Sequence, residues 1–333
     1  MDNRRYQPEF PKPFDFVPFT RKTDKKSRPG HESFHLQQTL SGELLFEIIV
    51  ETPLHISSGN YALTEDLGLK AKNVVRDLYK VTANDHGLPV PAIPGSTLKG
   101  AVRSVVEAVT NSCVGVTRER ELPPGVSRGC RPPTLCPACG LFGAMSRLGR
   151  ISFGDAVIDL NQANAGIARM PALYRPRPRQ GYSYKDSTRT FKGRKFYFHG
   201  LPAKHREGTY IEVLTPGTHL PGQVAFTSLE EAELGILLFA LGLDNSFRIS
   251  VGGGKPMAMG RIKIVPQEMR LRQTASFTTY EAGDAVLSGD TLSGAIARYI
   301  TEAERSLIQP VQRDKLRQIL NPANDRPAPT GVY

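Results

Sequence analysis

The spacing of apolar positions predicts one long strand and two helices in this chain. Residues 43–51 (ELLFEIIVE) are apolar and β-branched and end before a proline, which is typical of a strand. Residues 95–109 follow a proline and carry apolar side chains at helical spacing, from Leu98 to Val109. Residues 229–241 (LEEAELGILLFAL) predict a second helix, with glutamates at the end where the helix dipole favours them.

Shorter apolar segments predict further strands, at residues 150–158, 195–198, 209–214, 222–227, 248–251 and 260–265. Residues 55–60 have the composition of a turn, residues 61–91 that of a loop or small hairpin, and residues 281–320 that of amphipathic helices. The resulting order is β, α, β, several β, α, β. It predicts an α+β fold, a ferredoxin-like or RRM-like sheet with helices on one face and large insertions.

Composition divides the chain into three parts. Residues 1–42 are rich in Pro, Lys, Arg and Phe without periodicity, which predicts an extended basic arm. Its apolar residues Phe14, Phe16, Val17 and Phe19 could dock on a partner subunit; a flexible tail is the alternative. Residues 43–265 form the predicted core, including a cysteine-rich loop at 113–140 and a projecting arm at 166–194. Residues 266–333 form a C-terminal helical extension.

The charge of the chain indicates what kind of partner it has. The 333 residues carry a formal net charge of +11, and the pI is about 9.5, which favours a polyanion such as nucleic acid. No apolar run reaches the roughly 18 residues that a membrane helix needs, and no signal-peptide core is present near the first residue. We therefore expect a cytoplasmic protein without a membrane partner.

Four cysteines, the only ones in the chain, crowd into one short stretch. Cys113, Cys130, Cys136 and Cys139 have the spacing C-x16-C-x5-C-x2-C. The last pair is spaced as in a zinc knuckle, and four thiolates complete a tetrahedral structural site with no open position for catalysis. Zinc would hold together a loop that is too poor in apolar residues to fold alone. Four reduced thiols are the alternative.

Two glycine-containing segments could bind phosphate. Residues 95–100 (GSTLKG) place backbone N–H groups, the Ser96 and Thr97 hydroxyls and Lys99 at a helix start, and Arg103 lies on the same face as Lys99. The segment Gly252, Gly253, Gly254 and Lys255 joins two strands. Neither is a Walker A loop, because no Ser or Thr follows the lysine. Ordinary helix capping and a tight strand connection are the respective alternatives.

Six segments together resemble one family: IPGSTLKGAVR (93–103), CPACGLFG (136–143), GRISFGDAVI (149–158), GRKFYFHG (193–200), LEEAELGILLFALGL (229–243) and SVGGGKPMAMGRIKI (250–264). In this order they resemble the RAMP superfamily (repeat-associated mysterious proteins) of class 1 CRISPR effector complexes, over about residues 43–265. The similarity is closest to the backbone subunits of type III systems, in particular the III-D branch and its relatives.

The resemblance implies an RNA-binding backbone subunit with a modified RRM-like palm. Several copies or paralogues would stack along a guide RNA together with other Cas subunits, and a hairpin thumb from each would push between nucleotides. The arm at 166–194 matches the thumb. Its cations suit phosphates, its tyrosines suit base stacking and Met170 suits a wedge at a base step; the cations are Arg169, Arg175, Arg177, Arg179 and Lys185. A positively charged sheet surface, edged by the two glycine segments and this arm, would hold the guide.

Catalysis is the uncertain part of the resemblance. Related type III subunits cut target RNA with an Asp before the IPGS motif, but Ala71 or Lys72 stands near that place here. Asp66 is a shifted candidate, which would bind Mg²⁺ or orient the 2′-OH. Three functions remain: a scaffold that supports pairing with target RNA or DNA, with cleavage by a recruited nuclease; a metal-dependent endoribonuclease; or a guide-processing enzyme. His199 and His205 are a weaker acid–base candidate.

Overall fold

A computed structural model describes residues 12–28, 30–31, 39–63, 65, 74–82, 89–115, 121–158, 165–172, 184–203, 205, 207–272 and 284–329. The strands in these ranges are β1 (Phe14–Pro18), β2 (Lys26–Ser27), β3 (Leu40–Val50), β4 (Ser57–Leu63), β5 (Val74–Leu78), β6 (Lys80–Thr82), β7 (Pro89–Ile93), β8 (Thr134–Leu135), β9 (Ile151–Phe153), β10 (Ala156–Val157), β11 (Ala165–Met170), β12 (Gly193–Tyr197), β13 (Thr209–Leu214), β14 (His219–Leu229), β15 (Ile249–Ser250), β16 (Arg261–Leu271) and β17 (Ala285–Ser288). The α-helices are α1 (Gly95–Val109), α2 (Pro137–Phe142), α3 (Glu231–Ala240), α4 (Gly289–Ser306) and α5 (Pro310–Ile319).

A six-stranded antiparallel sheet forms the centre of the molecule. Its strand order is β15-β16-β3-β14-β9, and β17 also pairs with β16. Alternate residues of β3, such as Leu44, Phe46 and Ile48, are buried on the face that packs against the helices. Their alternation with partly exposed residues is the reason why this segment forms a strand with one face on a core. The mixed α/β, sheet-rich fold expected from the sequence is confirmed.

The helices cover one face of this sheet. Along α1 the apolar stripe from Leu98 to Val109 is buried, as its spacing predicts. The helix α3 is buried along nearly its whole length from Glu233, because α1, α4 and β14 all pack against it. Among the described helices, none combines the length and the apolar character needed to cross a membrane.

Four smaller sheets surround the central one: β11-β13-β5-β4, β10-β7-β6, β1-β12 and β2-β8. In the first of these, β13 and β5 form a parallel pair. Residues 55–91, expected as a turn followed by a loop or small hairpin, therefore contribute four strands. Their short length and mixed polarity left no clear period in the sequence.

The amino-terminal arm, for which docking on a partner subunit or a flexible tail was expected, packs on its own chain in residues 12–28. Phe16 pairs with Lys195 as β1 runs antiparallel to β12, and Val17 is fully buried in the main core. The arm expected to project at 166–194 begins and ends in paired strands, β11 and β12. The part between residues 173 and 183 lies outside the described residues.

The expected C-terminal extension also differs in its limits. The boundary at residue 265 falls inside β16, which continues to Leu271 and is followed by β17. Two helices then follow, α4 and α5, separated at Leu307–Gln309. The break agrees with Pro310, whose fixed backbone angle suits the first turn of a new helix.

Candidate metal centre and nucleic-acid interface

Four cysteine side chains converge in the loop that leads into α2. The Sγ atoms of Cys113, Cys130, Cys136 and Cys139 lie within 4.8 Å of one another, and all four residues are buried. The Cys113 Sγ is 3.6 Å from the Sγ atoms of Cys136 and Cys139. A tetrahedral zinc ion with Zn–S bonds of about 2.3 Å separates its ligands by about 3.8 Å. The donor set therefore fits one closed, four-coordinate ion.

Backbone amides support negative charge in this cluster. The Cys136 N–H donates to Cys130 Sγ at 3.4 Å, and the Cys139 N–H donates to Cys136 Sγ at 3.5 Å. Pro137 starts α2 directly after Cys136, which turns the chain around that sulfur. Hydrogen bonds with Cys113 and Cys139 hold the pKa of Cys136 far below its ordinary value, and the bond with Cys136 raises the pKa of Cys113 to about 12. A bound cation would supply the charge that further thiolates need.

Two arginines and one glutamate surround the cysteines. Arg103 donates to Glu107 at 2.8 Å, to the Gly143 carbonyl at 3.1 Å and approaches Cys139 Sγ at 3.7 Å. Arg194 donates to the same Glu107 at 2.8 Å. Arg103 was expected to bind RNA phosphate, but its three nitrogens are used within the chain. These bonds place its guanidinium beside the cysteine cluster, where outer partners of a metal site orient the ligands, and its contact with RNA stays a prediction.

Three buried charges connect the cysteine loop to α3. Arg150 donates to the Gly140 carbonyl at 3.0 Å and to Glu233 at 2.7 Å. Arg28 donates to the Leu135 carbonyl at 3.0 Å and to Glu233 at 3.3 Å. The Arg150 and Glu233 side chains are almost inaccessible to solvent. Gly140 and Leu135 belong to the cysteine loop, so this network fixes the loop to the body of the protein.

The start of α1 is already occupied by a carboxylate. The Gly95 N–H donates to Asp155 Oδ1 at 2.7 Å. The sequence suggested this N–H as a donor to phosphate, but the carboxylate already accepts its hydrogen bond. A Cβ at position 95 would lie 2.2 Å from the Phe153 carbonyl oxygen, and the glycine is therefore required for close packing. Ser96 is exposed, and Thr97 and Lys99 are half-buried. These three side chains therefore remain at least partly accessible to an anion.

Lys99 and Lys255 are cations without a described acidic partner. Burial lowers the pKa of Lys99, with a further contribution from Arg103, and burial alone lowers the pKa of Lys255. Neither lysine forms an ion pair with a carboxylate in the part of the chain that the structure describes. An anion that approached either side chain would therefore meet an uncompensated positive charge.

The glycine loop before Lys255 packs against its own chain. The Gly253 N–H donates to the His55 carbonyl at 2.8 Å. Gly252 has a φ of +75°, and a Cβ there would lie 2.3 Å from the same carbonyl oxygen. The backbone at His55 thus occupies the space that these glycines leave open. Gly254, also at positive φ, begins the 3₁₀ turn Lys255–Met257.

The described residues of the arm at 166–194 are engaged within the chain. The Arg169 guanidinium is exposed, donates to the Tyr210 hydroxyl and lies 4.4 Å from the centre of that ring. Met170, expected as a wedge between bases, is buried with Met257 and Met259 in a small second core. Lys185 pairs with Glu121 at 2.7 Å. The predicted RNA contacts Arg175, Arg177 and Arg179 and the predicted catalytic Asp66 lie outside the described residues.

The outward face of the central sheet is not the positive surface that was expected. Arg270 pairs with Glu43 at 3.0 Å and with Glu268 at 2.5 Å, and His219 lies 3.0 Å from Glu47. Acidic and basic side chains are therefore balanced on this face. Strand propensity and overall charge could not reveal the balance, because it depends on which residues β3, β14 and β16 bring opposite one another.

A basic surface lies where the amino-terminal arm follows the cysteine loop. The strands β2 and β8 pair antiparallel, the Thr23 N–H donates to the Gly125 carbonyl at 3.0 Å, and Lys25 Nζ donates to the Gly129 carbonyl at 2.9 Å. Six exposed cations on these two segments form what we call the arm–loop surface: Arg21, Lys22, Lys25, Lys26, Arg128 and Arg131. The basic composition of the arm was visible in the sequence, but its pairing with the cysteine loop was not.

Together, the fold and these sites define a sheet-rich α/β protein with four buried cysteines placed so that they could hold a metal ion, and an adjoining surface suited to a polyanion. A family model described as the RAMP superfamily matches residues 47–263. The chain belongs to this superfamily, as its motifs suggested. No curated protein matches the chain. RAMP proteins are CRISPR-associated and generally bind CRISPR RNA within multi-subunit complexes.

Proposed function

We propose that this protein is a guide-RNA-binding backbone subunit of a multi-subunit CRISPR ribonucleoprotein in antiviral defence. It would stack along the guide and support its pairing with a target. The observation that carries the proposal is the arm–loop surface on a member of the RAMP superfamily. Lysines and arginines hold an RNA backbone without reading its sequence, and base pairing by the guide supplies the sequence information.

The balance of charge in the arm–loop surface supports this role. Residues 21–28 contain one acid, Asp24, and residues 125–135 contain none. Asp24 lies 3.9 Å from the buried Arg28, so its charge is directed partly inward. The six exposed cations therefore form a surface with a net positive field, which attracts polyanions and strengthens binding at low salt.

The central sheet supports assignment of an RRM-like palm. The elements β3, α1, β9, β14, α3 and β16 follow one another in the order β-α-β-β-α-β of a ferredoxin-like fold. β14 lies between β3 and β9, and β3 lies between β14 and β16, so both βαβ units are split. The outward positions of β3, β14 and β16 lack the aromatic residues with which RRMs stack bases. We therefore place the RNA on the arm–loop surface and the neighbouring loops.

Further contacts fit the same proposal. Lys99, Ser96 and Thr97 are accessible at the start of α1, and Lys255 follows the glycine loop. We assign Arg175, Arg177 and Arg179 to contacts of the thumb with the guide on the strength of their composition alone. The order of the six motifs supports a place among type III backbone subunits, III-D-like or a relative.

We infer that the ion in the four-cysteine cluster is Zn²⁺ and that its role is structural. Four thiolates are the donor set of structural zinc, and they leave no position open for a substrate. The cluster holds the loop to which the basic arm is paired. Zinc would therefore maintain the conformation of the arm–loop surface without contact with the RNA.

Removal of cations from the arm–loop surface tests the proposal. We would replace Arg21, Lys22 and Lys26 together with alanine. Lys25 stays unchanged, because its ammonium group donates a hydrogen bond to the loop backbone. Binding to a labelled single-stranded CRISPR RNA is measured by fluorescence anisotropy between about 50 and 300 mM salt, a range over which the Debye length falls about 2.5-fold. Each lost phosphate contact reduces the slope of log K against log salt by about 0.7, so the triple variant should lose about 2.

A matched control is available on α4. Arg298 and Arg305 are exposed arginines far along the chain from the arm, each paired with a glutamate. Their double alanine variant lowers the net charge but should leave the salt slope within about 0.5 of wild type. An equal slope for the arm variant and wild type, or no RNA binding by wild type at low salt, would refute the proposed interface.

A further inference from the structure

A ring of polar contacts connects the cysteine cluster to the strand β12. Arg194 of β12 donates to the Cys113 carbonyl at 2.5 Å and to Glu107 at 2.8 Å. Glu107 also accepts from Arg103 at 2.8 Å, and Arg103 approaches Cys139 Sγ at 3.7 Å. The ring thus begins and ends at two of the four cysteines and passes through both α1 and β12.

The members of this ring depend on one another because they are largely removed from solvent. The side chains of Arg194 and Glu107 are only 14% and 12% exposed. A buried charge that loses its partner is strongly unfavourable, since water cannot replace the lost interaction. One carboxylate holds both guanidinium groups, so a displacement of either arginine changes the surroundings of the other.

An occupied metal centre needs the positive charge of these arginines. Four thiolates around one divalent ion carry two negative charges in excess of the ion. All four cysteines are buried, so water compensates this excess poorly. Arg103 and Arg194 supply two positive charges, and Glu107 neutralises one of them. The occupied centre should therefore hold both arginines in place, and loss of the ion should weaken that hold.

Arg194 extends this dependence to the amino-terminal arm. The strands β1 and β12 form what we call the amino-terminal ribbon, in which Arg194 pairs with Val17. Val17 is fully buried in the main core, and the Phe19 ring lies 5.9 Å from the Arg194 guanidinium. A change in the position of Arg194 would therefore disturb both strands of the ribbon, although neither strand contains a cysteine.

We propose that the ring couples occupancy of the metal centre to docking of the amino-terminal ribbon, with Arg194 as the positioning residue. The coupling rests on the proposed zinc site, and it adds that the ion controls a segment outside the loop that binds it. Because coupling between two equilibria is reciprocal, a substitution that loosens the ribbon at Arg194 must also weaken metal binding.

Zinc affinity tests the reciprocal effect. Arg194→Lys keeps the charge but loses the planar fork that reaches two acceptors, and Arg194→Met loses both. Arg248→Lys is the matched control, because Arg248 is 13% exposed and donates to Glu51 and to the Phe247 carbonyl, both outside the cysteine loop. Competition with a chromophoric chelator should show affinity about 10–100-fold weaker for both Arg194 variants and changed less than about twofold for the control. Wild-type affinity in both Arg194 variants would overturn the coupling.

Hydrogen exchange measured with and without a chelator reads the coupling directly, and in wild type it needs no variant. Removal of zinc should speed exchange in residues 14–18 and 193–197 by at least about tenfold, and much less in α4. In Arg194→Met, exchange in the ribbon should be fast whether or not zinc is bound. If zinc binds but its removal leaves the ribbon unchanged, or speeds α4 equally, the coupling is wrong and the zinc site stands. A wild-type protein without zinc overturns both, and the salt slope of RNA binding bears on neither.

Discussion

Replacement of Arg150 with methionine should reveal how strongly the cysteine loop is fixed to the body of the protein. The Arg150 side chain is fully buried and donates to Glu233 at 2.7 Å and to the carbonyls of Gly140 and Ser228 at 3.0 and 2.5 Å. Methionine retains much of the apolar stem but none of these donors. The change leaves two buried carbonyls without this donor and a buried carboxylate with one cation fewer.

The expected cost follows from these contacts. Removal of one partner from a buried ion pair costs about 3–5 kcal/mol, because the other charge remains buried. Glu233 keeps Arg28 at 3.3 Å, which places the loss at the lower end, about 3 kcal/mol. A domain of ordinary stability has about 5–15 kcal/mol in total, so the variant should fold but with a much smaller reserve.

Urea unfolding with zinc present measures the free energy of unfolding of wild type and Arg150→Met. Arg305→Met is the matched control, because Arg305 is 74% exposed and lies 3.6 Å from Glu302. Such a surface pair contributes about 0–1 kcal/mol. If the loss at Arg150 were no larger than the loss at Arg305, the buried network would not be what holds the loop. A second readout is faster release of zinc to a chelator from Arg150→Met, since Gly140 lies next to Cys139.

Two further predictions concern the metal centre and acid stability. Purified wild type should contain about one zinc per chain by elemental analysis. Cys136→Ser should lose the zinc, whereas Met145→Ser, a change at an exposed residue nearby, should retain it. A wild-type protein that contains no zinc after growth in zinc-containing medium would contradict the assignment. Burial lowers the pKa of His199 to about 4, below its value of 6.5 in the unfolded chain, although its ring bonds the Arg248 carbonyl. Stability from this residue is therefore complete above pH 6.5 and falls as pH drops towards 4, by about 3 kcal/mol in all and about 2 kcal/mol by pH 5. His199→Gln should remove that part of the difference in unfolding free energy between pH 7.5 and pH 5, and an unchanged difference would show that His199 is not the titrating group.

The sequence predicted those features that depend on neighbouring residues. The helix α1 was expected from its apolar stripe, and it begins directly after Pro94 and ends with the stripe at Val109. The cysteines were expected to converge because four thiols clustered in one short segment are typical of ligands that share one metal ion. The apolar period of a helix and the spacing of metal ligands are each visible within one short segment of sequence. Both can therefore be predicted without knowledge of the fold.

Features that depend on distant partners could not be predicted. Arg103 and Lys99 share a helix face, yet only the fold brings Arg103 to Gly143 and Cys139 and leaves Lys99 without an acidic partner among the described residues. Met170 looked like an exposed wedge until β13 and the residues after the glycine loop covered it. The arm–loop surface needs two segments about a hundred residues apart to pair. Charge and composition indicate that such residues matter, but not which of them meet.

The pairing of β1 with β12 has a consequence for how the chain is made. Phe16 can pair with Lys195 of β12 only after Lys195 has left the ribosome, 179 residues later. Contacts of such sequence separation form late and slowly. The segment around Phe16 is thus synthesised well before its strand partner, and in that interval it stays available to chaperones, to RNA and to other nascent chains.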